Sequence, residues 1–182
     1  MNYLIISGNP KSDGLCRSVQ NEIERGVKDG GAELSVITTE AFDRCRVCGN
    51  GWGSCRDENV CAFGADGFNV AQSAVKSADA ICIITPVYWG EMTESLKSFL
   101  DRLRRCEFGP NGAFSGKPVL LVASPGGSGN GMVSAIDQLD RFCRHTGAEI
   151  FDYVGVNRKN SVYKLKTAYA AAKAMVEAYS GK

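Results

Sequence analysis

Apolar positions along this chain follow two rhythms in turn: short unbroken runs, and stretches with apolar side chains three or four residues apart. "NYLIIS" (2–7), "DAICIIT" (79–85) and "KPVLLVAS" (117–124) are runs of the first kind, the pattern of strands buried on both faces. "AELSVIT" (32–38) alternates, and "EIFDYVGV" (149–156) reads as a last strand. Helical periods lie between them. Val19, Ile23 and Val27 precede Gly30 and Gly31; Phe68, Ala71, Val75 and Ala78 make a second face. Met92, Leu96, Phe99, Leu100 and Leu103 form a third stripe, and Met132, Ile136, Leu139 and Cys143 a fourth, ahead of Gly147. An alanine-rich helix runs from about Val162 to Tyr179. Strand and helix alternate five times, which predicts an α/β fold with a five-stranded parallel sheet covered by helices on both faces. Right-handed crossovers leave few topologies, and the strand order 2-1-3-4-5 is expected.

Composition narrows the setting. The 182 residues predict one domain spanning 1–182, and a formal charge of +1 predicts no general attraction to nucleic acid or membrane. The first apolar run, Tyr3 to Ile6, is too short for a signal peptide, and no later run approaches a membrane span. A cytoplasmic, reducing compartment is therefore expected, in which structural disulfides are disfavoured.

In such a sheet, ligands bind beyond the carboxyl ends of the strands, where the strand order reverses. "SGNPKSDGLCRS" (7–18) follows the first strand with tight-turn glycines, the neutral donors Ser7, Asn9, Ser12 and Ser18, and the charges of Lys11 and Arg17. A helix N-terminus follows, which suits a phosphate, although the loop is neither a Walker loop nor a strict G-x-G-x-x-G fingerprint. After strand three, Pro86 and Gly90 bracket Tyr88 and Trp89, where a planar ring could stack or where two aromatics simply cap the sheet. "SPGGSGNG" (124–131) follows strand four, its glycines open to close backbone approach. Three such loops at one sheet edge point to a flat, phosphorylated cofactor.

"CRVCGNGWGSCRDENVC" (45–61) holds Cys45, Cys48, Cys55 and Cys61, four of the chain's eight cysteines. In a reducing compartment four thiols on one loop point to metal more than to disulfides. A [4Fe–4S] cluster, a tetrahedral zinc site, a redox-active thiol pair and four unliganded thiols all remain open. Cys82, Cys106 and Cys143 read as small apolar filler, and His145 as structural or solvated at a helix end.

In that order, "SGNPKSDG", "TPVYWGEMTESLKSFLDRL" and the glycine-rich loop after strand four resemble the NAD(P)H-dependent FMN reductase family, whose flavodoxin-fold relatives include the iron–sulfur flavoproteins. The resemblance spans nearly the whole chain and implies a flavodoxin-like three-layer sandwich. It implies an FMN phosphate on Ser7, Asn9, Lys11, Ser12, Gly14, Leu15 and Cys16. The isoalloxazine would lie against Pro86, Val87, Tyr88, Trp89 and Gly90, with further contacts from Ser124, Gly126 and Gly127. Leu15 and Cys16 depart from the Asn and hydroxyl residue that relatives usually carry. Iron–sulfur flavoproteins have a compact cysteine motif in the position of residues 45–61; here four extra residues separate the second and third cysteines.

The function so implied is an oxidoreductase taking hydride from NAD(P)H onto FMN, with no catalytic acid or base required. Electrons would pass to a flavin, quinone, small electrophile or protein. The alternatives are a flavodoxin-type electron carrier, disfavoured by the near-neutral charge, and a metal or redox sensor built on the cysteine loop. A homodimer or homotetramer with flavin at the subunit interface is also implied. The Arg102 to Arg105 stretch then either faces a partner or is a solvated helix surface.

Overall fold

The computed structural model describes residues 1–107 and 112–181. Strands β1 (Asn2–Ser7), β2 (Glu33–Thr38), β3 (Ala80–Val87), β4 (Pro118–Pro125) and β5 (Glu149–Gly155) form one parallel sheet in the order β2-β1-β3-β4-β5, the order expected from the sequence. The helices are α1 (Gly14–Asp29), α2 (Ser54–Asp57), α3 (Phe68–Ser77), α4 (Glu94–Cys106), α5 (Met132–Thr146) and α6 (Ser161–Tyr179). None of the described helices is long and apolar enough to cross a membrane.

Each central strand feeds two cores because successive side chains point to opposite faces. On one face Leu4, Ile6, Ile81, Ile83, Val119 and Leu121 pack beneath α3, α4 and α5. On the other, Tyr3, Ile5, Cys82, Ile84, Leu120 and Val122 pack beneath α1 and α6. β2 is an edge strand, largely exposed, with only Leu34 and Ile37 partly buried, one against each core.

α1 and α6 cross so closely that Gly26 sits against the Tyr169 carbonyl, and a Cβ there would also stand 3.2 Å from the Lys173 amide. Glycine inside a helix normally gives up about 1 kcal/mol relative to alanine. Here the sign reverses, because the obstructing atoms are backbone and cannot turn aside. Gly26→Ala is expected to destabilise the chain by roughly 1–3 kcal/mol, the usual range for overpacking, read as a lowered urea midpoint with an unchanged slope.

The sheet opens at the switch point. β1 pairs with β3 only as far as Ser7 opposite Ile84, whereas β3 and β4 continue to Val87 opposite Pro125. The chain after β1 turns away there, with the Gly8 amide donating to the Ile84 carbonyl at 2.8 Å. Pro86, which has no N–H, falls where β3 no longer has β1 beside it.

Candidate functional site

Three loops meet at this crevice and are tied to one another. The Thr93 hydroxyl donates to the Gly8 carbonyl at 2.9 Å, and the Thr93 amide donates to Thr85 Oγ1 at 3.1 Å. These two bonds clamp the loop after β1 to the loop after β3. A glycine contact joins the third: Gly131 packs against Gly90, where an added Cβ would also meet Val87 Cγ1 at 3.0 Å.

In the first loop Ser7 is buried, donating to Gln20 Oε1 at 2.8 Å. Asn9 folds the loop on itself: its Nδ2 donates to the Lys11 carbonyl at 2.8 Å and its Oδ1 accepts from the Lys11 amide at 3.2 Å. Asp13 makes no side-chain cap and the first turn of α1 carries no acidic residue, so its N-terminal amides stand open beside exposed Lys11, Ser12 and Gly14. Arg17 turns the other way, paired with Glu24 at 3.2 Å, and the Ser18 hydroxyl donates to the Gly14 carbonyl. The Cys16 thiol does not face the loop. It lies in the apolar cluster under α1, its pKa pushed up to about 12 by burial, and Leu15 packs against the same cluster. These two residues can offer the loop only backbone.

In the second loop Tyr88 and Glu91 exchange both backbone hydrogen bonds at 3.0 Å, closing a two-residue turn with Trp89 at φ 53° and Gly90 at φ 86°. Two left-handed residues make this a I′-type turn, natural for Gly90 and strained for Trp89 by about 1–2 kcal/mol. The Trp89 ring is nevertheless fully exposed, and Tyr88 is half-exposed. A strained, uncovered aromatic at a sheet's switch point is a feature of ligand sites.

In the third loop Ser124 is 2% exposed, and its hydroxyl has no hydrogen-bond partner among the described residues. Gly126 and Gly127 above it are exposed, and a Cβ on either would touch nothing in the chain. A buried orphan hydroxyl beneath open backbone fits a polar-edged planar ligand.

The cysteine loop closes over the end of α4, and Arg102 holds it there. Sequence reading put Arg102 toward a partner or solvent; it is 2% exposed instead. Its guanidinium donates to Asp66 Oδ2 at 2.6 Å, the Asp43 carbonyl at 2.7 Å, the Phe63 carbonyl at 3.1 Å and Cys61 Sγ at 3.4 Å, and stacks 4.0 Å from the Phe68 ring centre. Burial alone would raise the Asp66 pKa, but the bonds from Arg102 and from the Asp43 and Phe68 amides outweigh it and hold the carboxyl below its usual value. Arg105 donates to the Gly51 carbonyl and lies 5.1 Å over the Trp52 ring.

Cys45, Cys48, Cys55 and Cys61 all line one small cavity of about 20 Å3 beneath this loop, together with Arg102, Arg105 and a fifth thiol, Cys106. Cys106 is part of the apolar core, as its reading as filler expects, and burial pushes its thiol up to about 12, with Cys61 and Cys55 adding to the shift. All eight cysteines are free thiols. Among the described residues no three His, Cys, Asp or Glu are disposed to hold a single metal ion. One further polar atom is orphaned here, Arg102 Nε, buried without a hydrogen-bond partner among the described residues.

A much larger open groove, about 1290 Å3, runs between the cysteine loop, α4 and α5. Tyr88 and Trp89 line it at one side and Cys45 at another, so the aromatic turn and the mouth of the cysteine loop share one recess. His145 also lines it, 3.4 Å from Arg104.

Comparison with known proteins fits this geometry. The iron–sulfur flavoprotein of Methanosarcina thermophila is 32% identical over 131 residues, 69% of this chain and 63% of that protein. The NADPH azoreductase of Bacillus sp. (strain OY1-2) is 28% identical over 139 residues, 76% of this chain and 66% of that protein. The matches thus span a little under two thirds of these relatives' own lengths. The structure of a flavodoxin from the domain Archaea superposes with a TM-score of 0.67 at 14% identity, covering 99% of both chains, which makes the fold flavodoxin-like. The family described as NADPH-dependent FMN reductase matches residues 1–161, and the chain belongs to that family.

Proposed function

We propose that this chain binds FMN across the three clamped loops, takes hydride from NAD(P)H and passes the electrons on by way of the cysteine loop. The observation that carries the reading is the buried Ser124 hydroxyl, without a partner among the described residues, opposite Pro86 at the end of β4 and just before the open Gly126–Gly127 backbone. A nearly buried serine without a partner is costly, and a flavin's polar edge would satisfy it. The open α1 amides, Ser12 and Lys11 would hold the phosphate, with Asn9 fixing the loop's shape. Pro86 to Gly90 would border the ring, and Trp89 offers a face that a nicotinamide or a second copy of the chain would cover. FMN, when bound, supplies the hydride-accepting chemistry. The chain's own part is to orient the ring and exclude water from one face of it.

The cysteine donors suit an iron–sulfur cluster and tetrahedral zinc alike, and the similarity to an iron–sulfur flavoprotein supports the cluster. Either group needs several thiolates gathered about it, and no three described ligands are so disposed as they stand. A cluster spreads its thiolates over several irons, and the orphaned Arg102 Nε would have an acceptor in it. The cavity holds about one water as it stands, so a cluster requires the glycine-rich "GNGWGS" spacer to move outward.

Protein purified without air is expected to carry one FMN and about four irons per chain, and to lose its yellow flavin absorbance on anaerobic addition of NADPH. FMN that NADH and NADPH both fail to bleach would point to an electron carrier. Bleaching without iron would leave a two-electron reductase whose cysteine loop has another role.

A further inference from the structure

We propose that the α4 face lining the open groove pairs with itself: α4 of a second copy lies antiparallel on it, about a two-fold axis level with Phe99. The inference goes beyond the flavin reading and stands without it.

The charges on this face carry the argument. Leu96, Phe99, Leu100 and Leu103 turn α4 into the core, and Glu94, Lys97, Asp101 and Arg104 line the groove on the other side. At 3.6 residues per turn these four fall within an arc of about 80° and a length of about 15 Å. Their spacing is three, four and three residues, and their signs run minus, plus, minus, plus. From the other end the spacing is the same and every sign is exchanged. A second α4 laid antiparallel therefore sets Glu94 opposite Arg104 and Lys97 opposite Asp101, each twice by symmetry. A parallel copy would set every charge against its own kind.

Alternating charge on an exposed helix is usually closed by pairs within the helix. Here only the middle is closed in that way, by Lys97 and Asp101. Among the described residues neither Glu94 nor Arg104 meets an opposite charge, and Arg104 has the His145 ring 3.4 Å away. By contrast Arg17, Arg25, Arg46, Arg141 and Arg144 each hold a carboxylate. The two ends of the charged row are thus open, and they are the ends that an antiparallel copy would join.

Trp89 lies just before α4, lines the same groove and is fully exposed. An antiparallel copy brings its own Arg104 end toward that ring, and a guanidinium over an indole face is a favourable contact. Pairing would cover the strained turn and close one side of the crevice with groups from another copy.

The test is sedimentation of the flavin-free chain at micromolar concentration. A dimer is expected at low salt, with a dissociation constant that rises as salt is added. Glu94→Arg and Arg104→Glu are each expected to raise that constant by about a hundredfold or more, since each sets like charges together twice. An equimolar mixture of the two variants is expected to pair again, because altered ends of opposite sign then meet and native ends meet native ends. Lys97→Glu mixed with Asp101→Lys repeats the test away from the helix ends, should either of the first two variants fold poorly. A monomeric unmodified chain, a dimer indifferent to the reversals, or folded variants that stay apart when mixed overturns the proposal. Hydride transfer is read separately, by the anaerobic bleaching, and none of these outcomes bears on it.

Discussion

Replacing Arg102 with leucine is expected to weaken the docking of residues 43–66 by about 3–5 kcal/mol, the usual loss when one member of a buried ion pair is removed. The guanidinium binds a carboxylate, two carbonyls and a sulfur, and among the described residues no other cation bonds Asp66. Leucine would keep apolar contact with Phe68 but leave the Asp43 and Phe63 carbonyls without this donor and Asp66 with only its two amide donors. The sheet does not depend on these bonds, so the loss should fall on the loop first, as local opening rather than global unfolding. Hydrogen exchange is expected to accelerate across 43–66 by two or more orders of magnitude, with the β3 and β4 amides unchanged. The pH dependence has a definite sign. Asp66 has a depressed folded pKa, so its contribution is present above the unfolded value of about 3.9 and is lost as pH falls through the folded value. Exchange in the loop of the unmodified chain should therefore rise below about pH 4, and Arg102→Leu should lack that step. Uniform exchange across the loop and the sheet would instead mean that Arg102 belongs to the global fold.

The sheet could be read from sequence because β1, β3 and β4 are buried on both faces, and such strands show as unbroken apolar runs. Strand order then located the three loops, and the clamps at Thr93 and Gly131 bring those loops together. Individual side chains were harder. Cys16 lies three before Val19 and seven before Ile23, on the same helix stripe, so its burial was legible although the loop resemblance pulled it toward the phosphate. Arg102 was misread, and the nearness of Cys106 to the cysteine loop missed, for a different reason. Their partners Asp66, Cys55 and Cys61 are distant in sequence, and a charged residue on an amphipathic helix normally faces water. One signal was available: Cys106 continues the stripe of Leu96, Phe99 and Leu103, and Arg102 lies four residues before it. The strain at Trp89 had no such signal, because a left-handed tryptophan is not implied by its neighbours.

Gly127→Ala and Gly131→Ala are expected to separate cofactor contact from loop architecture. An alanine at Gly131 must adopt φ near 78° and place its Cβ among the Gly90 backbone and Val87. The left-handed conformation costs about 1–2 kcal/mol and the overpacking a further 1–3 kcal/mol, roughly 2–5 kcal/mol together. The contact can be relieved only by parting the β3 and β4 loops, so both the melting temperature and FMN affinity should fall. If about 2 kcal/mol of the strain is expressed in binding, FMN binding weakens roughly thirtyfold. Gly127 is the opposite case: it lacks a left-handed φ, and its Cβ would meet no atom of the chain. The free protein should therefore melt unchanged, and any loss of affinity must come from the ligand itself meeting the new methyl group. A fluorescence-quenching titration with FMN is the measurement, with melting of the flavin-free chain as its control. Weaker FMN binding by Gly127→Ala at unchanged stability would mean the cofactor lies against this loop. Unchanged affinity in that variant, with loss confined to Gly131→Ala, would mean that the loop only braces the Trp89 turn and that the ring is bounded elsewhere.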